Sequence, residues 1–184
     1  MSRRFVSGAV IAAISALAFT ATSFAVRAGS GPALPPDVPA ANLPTVALTD
    51  AQKVAISDEI QAPVATRFGI GADSFNAARL VASTSLGPLY LIPGSSGACL
   101  ALANAVSCGD PGATGVPLLA LAVSDGSSGF WVGGGIATAA TAAVTVRDRS
   151  GHSQRFATAG GVFAIPASAG LNAQDPLVFE AESR

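Results

Sequence analysis

The sequence predicts a mainly β domain, an antiparallel sandwich or small barrel preceded by one or two short helices. Three observations lead there. From Leu86 onward, apolar stretches of four to eight residues alternate with turn signals. Several of those stretches are rich in β-branched residues, which suit a pleated sheet. The connections between them are too short for the helical crossover that a parallel pair needs, so hairpins are expected.

The strands read off in order. Leu89 to Ile92 is followed by a turn at Pro93 to Gly97, and Ala98 to Leu102 returns. Cys108 to Gly112 reads as another turn. Leu118 to Val123 leads to Asp125-Gly126, a strong hairpin signal because both positions tolerate positive φ. Phe130 to Val132 comes back. Ala143 to Val146 is the clearest strand, and it turns at Asp148 to Gly151 into His152 to Ala157. Val162 to Ile165 and Leu177 to Phe179 complete six to eight strands. The run from Gly133 to Ala142 stays open between loop, bulged strand and Ala-rich helix.

Ahead of the strands lies helical sequence. Thr49 with Gln52 three residues later makes a capping box, and residues 49–62 form an amphipathic helix that Pro63 stops. Val54, Ala55 and Ile60 are expected to share its inner face. A second helix is expected from Ser74 to about Val81, capped by Asp73, with Phe75, Ala78 and Val81 inward and Arg79 outward or paired with an acid.

The first residues predict export. Arg3 and Arg4 form a positive start, and the apolar run from Gly8 to Phe19 has the length of a signal-peptide core. Small residues at Ser23-Phe24-Ala25 or Val26-Arg27-Ala28 offer cleavage after Ala25 or Ala28. The alternative is an uncleaved anchor over residues 5–26, which is about the length that spans a bilayer. Its many Ala, Ser, Thr and Gly residues gain little from lipid, which favours cleavage. Either way, Arg3 and Arg4 stay inside and the rest of the chain passes out. The expected organisation is a leader over 1–25, a Pro/Ala-rich linker over 26–48 and one domain over 49–184.

Composition narrows the partners. Only 11% of the 184 residues are charged, the net charge is −1, and Lys53 is the sole lysine. No basic footprint for nucleic acid is present, nor a polybasic cluster for anionic lipid. Partners beyond a tether through the N-terminal segment are left undefined, and no cofactor is implied.

Cys99 and Cys108 are the only cysteines. In an exported chain an even count argues for a disulfide. The bond would close a loop of about ten residues and contribute roughly 2.5–3 kcal/mol before any strain. The spacing is not that of a Cys-x-x-Cys redox pair, and two thiols are too few for a structural metal.

No catalytic residue or metal ligand set emerges. His152, the only histidine, follows a turn glycine; Asp148 and nearby serines do not by spacing alone make a triad. The three glutamates, Glu59, Glu180 and Glu182, suggest no paired-carboxylate cleft; the last two sit where chain ends fray. Gly133 to Gly135 lacks the Lys-Ser/Thr of a phosphate loop. Arg147 and Arg149 flank Asp148 as a solvated tip. The candidate binding residues are Phe130 and Trp131. They alternate across a strand, so one faces in, and Trp131 is the expected core anchor of an aromatic-poor domain.

Taken together, Leu89 to Leu100, the second cysteine, Ala142 to Phe156 and Gly161 to Pro166, behind a leader and a Pro/Ala linker, resemble small exported actinobacterial proteins of unknown function. The resemblance covers about two-thirds of the chain through weakly specific strand-and-turn patterns, supports the disulfide and the β-rich domain, and implies no activity. The chain therefore reads as a non-enzymatic structural or binding β-domain at or outside the cell surface. An exported enzyme with a dispersed site and a membrane-anchored sensor or accessory domain are the alternatives.

Overall fold

The computed structural model describes residues 39–111 and 118–183, so the expected leader and most of the expected linker lie outside the described residues. The last ten residues of the expected linker are part of the packed body. Pro39–Asn42 forms a single 3-10 turn, with Ala40 and Leu48 buried. Beyond it the chain lies along a strand edge. The Val46 N–H donates to Ala78 O at 2.8 Å, and the Leu80 N–H to Pro44 O at 3.2 Å. Prolines 39 and 44 forbid a long helix, but extended chain between them can still pair. The Arg79 guanidinium, expected outward or on an acid, donates instead to Leu43 O at 2.7 Å and fastens this segment.

Helix α1 (Asp50–Glu59) starts as its sequence dictates. The Gln52 N–H donates to Thr49 Oγ1 at 3.2 Å, and the Thr49 N–H to Gln52 Oε1 at 2.9 Å. Its inner stripe is Ile56 with Ile60, one turn apart; Val54 and Ala55, expected inside, face solvent. Pro63 starts a helix rather than only ending one. It occupies the first turn of α2 (Ala62–Phe68), where a missing N–H leaves nothing unpaired. The expected second helix shrinks to α3 (Ala72–Asn76), capped by Gly71 and not by Asp73. The chain then extends as β1 (Arg79–Thr84), so Val81 is a strand residue.

Nine further strands follow: β2 (Gly87–Gly94), β3 (Gly97–Leu102), β4 (Ala105–Gly109), β5 (Leu118–Asp125), β6 (Phe130–Ala137), β7 (Thr141–Asp148), β8 (Ser153–Ala157), β9 (Val162–Ile165) and β10 (Leu177–Ser183). They make three antiparallel sheets, ordered β1-β2-β3-β4, β5-β6-β9 and β10-β7-β8. The fold is the predicted mainly β architecture with short helices in front, and its sheets pack as a sandwich without closing into a barrel.

Side-chain alternation builds the layers. On β5, Leu119, Leu121 and Val123 pack with Leu89, Leu91, Leu100 and Leu102 of the first sheet. Leu118, Ala120 and Ala122 face the opposite way, toward Val144, Val146 and Phe179 of the third. The β5-β6-β9 sheet is thus a middle layer covered on both faces. This explains why Leu118 to Val123 is apolar without alternation. It also resolves the run from Gly133 to Ala142: its first part, to Ala137, is strand β6, a turn follows, and β7 begins at Thr141. A Cβ on Gly133 would lie 2.0 Å from Leu121 O, and one on Gly134, at φ +157, would lie 2.3 Å from Phe163 O. On the outer face of the first sheet, Leu48, Ile56 and Ile60 pack on Ile92, Cys99 and Ala101, which seats the helices.

Candidate functional site

The helical layer contains an open groove of about 570 Å³, bounded by α1, α2 and α3. Its apolar floor is buried Ile60 with half-buried Ala65, Ile70 and Phe75. Val54, 59% exposed, forms part of one wall together with Lys53, Ser57 and Asp58; Asn76 stands opposite. Local sequence makes this shape. Gly69 closes α2 in the left-handed conformation and sends the chain back toward Gly71 and α3. The end of α2 is fixed to the β2–β3 turn. Ser96 donates its N–H to Phe68 O at 3.2 Å and its hydroxyl to Arg67 O at 2.9 Å. On the opposite side, Gln52 Nε2 donates to Tyr90 Oη at 3.0 Å and holds α1 to β2.

Lys53 lines the groove. Its ammonium donates to Asn76 Oδ1 at 3.4 Å and lies 3.9 Å from Asp50, whose carboxylate is fully exposed. A pair that open to water contributes little.

Beneath the groove runs the disulfide. Cys99 on β3 and Cys108 on β4 are directly paired across the hairpin, bonded at 2.03 Å, with Cα atoms 4.0 Å apart. Cys99 is fully buried among the residues that seat the helices. The bridge points to an oxidising, extracytoplasmic environment. Among the described residues, no helix is long and apolar enough to cross a membrane.

The two aromatic candidates separate as strand alternation requires. Trp131 is 3% exposed, and its Nε1–H donates to Asp175 O at 2.8 Å. Its backbone N–H donates to Leu171 O at 2.8 Å, so the 171–175 loop is strapped over it. Phe130 is 38% exposed and faces outward. Neither residue lines the groove.

His152 and Asp148 meet, but in a bracing role. The carboxylate of Asp148 accepts from the Ser150 hydroxyl at 2.6 Å, the His152 N–H at 2.9 Å and the Asn172 N–H at 3.4 Å. It binds the backbone of His152, not the ring. The imidazole is engaged elsewhere, Nδ1 with Gly170 O at 3.0 Å and Nε2 with Gln154 at 3.3 Å. Asp125 braces the β5–β6 turn alike, accepting from the Ser127 hydroxyl at 2.6 Å and the Ser127 N–H at 3.0 Å. Glu182 does not fray: β10 pairs along β7, and Glu182 accepts from Thr145 Oγ1 at 2.6 Å and Arg155 Nε at 2.8 Å. Arg147, Arg149 and the Asp58-Glu59 pair are exposed. No group of three His, Cys, Asp or Glu converges on a metal-sized site among the described residues.

The Ser150 hydroxyl, aided by the Asn172 and His152 N–H groups and opposed by burial, holds the Asp148 carboxyl below its ordinary 3.8. A depressed folded value stabilises the protein above the unfolded one, and that contribution is lost as pH falls through the folded value. Asp148→Asn is therefore expected to lower the denaturation midpoint at pH 7. The gap to the parent should narrow steadily once the pH drops below about 3.8. A constant gap from pH 7 to pH 2 in urea titrations would show that the carboxylate charge plays no part.

Comparison with protein-family models, curated proteins and solved structures gives no significant match, so the chemistry of the groove rests on its own geometry.

Proposed function

We propose that this chain is an exported, non-catalytic binding domain. Its leader delivers it beyond the cytoplasm, and the groove of its helical layer receives the ligand. Retained, the same leader would tether the domain at the membrane; cleaved, it would release it. The observation that carries the reading is the coincidence of an open concavity with an exposed apolar wall. Val54 has the greatest exposure among the exposed large apolar side chains described, and it lines the roughly 570 Å³ groove. An apolar side chain left in water at the edge of a concave site favours an apolar ligand. The disulfide under the groove supports both halves of the reading, since it suits an oxidising space and stiffens the floor. The non-catalytic part is supported by His152, Asp148 and Asp125, whose polar atoms are committed to turns and to the 170–172 strap.

Expression of the full chain in a bacterial host tests export. The expected product lies outside the cytoplasm, begins at Val26 or Gly29 and carries no alkylatable thiol. Cytoplasmic protein with an intact leader and two free thiols would overturn the location. Indole, a neutral apolar probe, tests the groove by saturation-transfer NMR. Its signal should disappear in Val54→Asp, a change at an exposed position that leaves the core intact. An unchanged signal in that variant would move the binding site elsewhere.

A further inference from the structure

We infer that the groove selects a small carboxylic acid with a compact apolar body, an inference that rests on the binding role proposed above. Two side chains from different helices make its polar corner. Lys53 of α1 and Asn76 of α3 both line the groove, and the Lys53 ammonium donates to Asn76 Oδ1 at 3.4 Å. That contact turns the carboxamide oxygen toward the ammonium. The Nδ2 on the same carbon has no hydrogen-bond partner among the described residues. An ammonium carries three N–H donors, and this one places a single long bond on Asn76. Asp50 stands 3.9 Å away with a fully exposed carboxylate, too solvated to hold it firmly. Adjacent donors on Lys53 and Asn76 therefore remain unspent. A carboxylate has two oxygens and can accept from both.

The Lys53 side chain is only 35% exposed, so most of its stem is covered and its charge is already positioned. Ser57 follows one turn later on the same face of α1 and adds a hydroxyl to the groove lining. Asp58, the acid that also lines the groove, lies about 140° around α1 from Lys53 at roughly 100° per residue. The negative charge thus stands off the face that carries the ammonium. Ile60, Ile70 and Phe75 supply the apolar floor for the body of the ligand. A neutral or cationic analogue gains the floor without the donors, and a bare carboxylate gains the donors without the floor.

Chemical-shift titration of the full-length protein with indole-3-acetate, indole-3-acetamide, tryptamine and acetate tests this, with indole as the apolar control. Indole-3-acetate is expected to bind about tenfold more tightly than the amide, the worth of one charge-assisted hydrogen bond, and the preference should shrink with added salt. Tryptamine should bind no better than the amide, and acetate, without the ring, at least about tenfold more weakly than indole-3-acetate. Lys53→Gln should bind acid and amide alike while still binding indole. Asn76→Asp should weaken indole-3-acetate alone, because the new carboxylate pairs with the ammonium and repels the ligand. Equal binding of acid and amide by the parent would overturn the inference, as would a preference that persists in Lys53→Gln or tighter binding of tryptamine than of the acid. In each case retained indole binding would leave the groove standing as an apolar site. Absence of binding by indole and by every analogue would overturn the groove reading and this inference together.

Discussion

Replacing Trp131 with alanine is expected to destabilise the domain by about 3–5 kcal/mol. The indole is 3% exposed and packs between the second and third sheets with Phe163, Ile165 and Leu177. Its loss opens a cavity and also strips Asp175 O of the donor 2.8 Å away, which loosens the 171–175 loop strapped over it. Phe130→Ala, one residue away on the outward face, is expected within about 0.5–1 kcal/mol of the parent, as for most surface positions. Urea denaturation of the two variants gives the comparison directly. A loss of less than about 1 kcal/mol in Trp131→Ala would refute the anchoring role.

Removing the disulfide is expected to produce the second large effect. Closing the loop between Cys99 and Cys108, nine residues apart, restrains the unfolded chain by about 2.7 kcal/mol in the chain-entropy account. For a domain of this size that corresponds to a fall of roughly 5–10 °C in Tm. Cys99→Ala with Cys108→Ala is the appropriate pair, because Cys99 is fully buried and tolerates a small apolar replacement. The consequence should extend to the groove. Cys99 packs with Ile56 and Ile60, so a loosened β3–β4 hairpin should weaken indole binding as well. Scanning calorimetry that shows an unchanged Tm would contradict the role assigned to the bridge.

Much of the fold is legible in local chemistry. Thr49 and Gln52 announce the start of α1 because a capping box satisfies two orphan N–H groups within four residues. Ala143 to Val146 and the Asp125-Gly126 turn declare strands and a hairpin by themselves. The β4 strand carries no such mark. Its hairpin turns at Ala103-Asn104, with alanine at φ +52 where glycine or asparagine would be the usual sign. Pairing with β3 and the covalent bridge impose it. The reverse error occurred at Phe75, Ala78 and Val81, whose spacing suits a helix. Pairing of Arg79 to Thr84 with β2 overrode that local preference.

The candidate site was the least legible part. Phe130 and Trp131 drew attention as rare aromatics, yet neither lines the concavity. The groove residues look unremarkable one at a time: a valine on a helix face, a single lysine, an exposed aspartate.

The amino-acid sequence by itself determined a β-rich body, a capped first helix and a pair of cysteines able to lock. Each depends on neighbours a few residues apart or on composition. Tertiary structure alone decided that the β5-β6-β9 sheet lies buried on both faces, that the chain preceding α1 joins the body, and that residues of three separate helices line one groove. Those outcomes depend on contacts between distant segments, whose cost in chain entropy is met only when the whole domain closes at once.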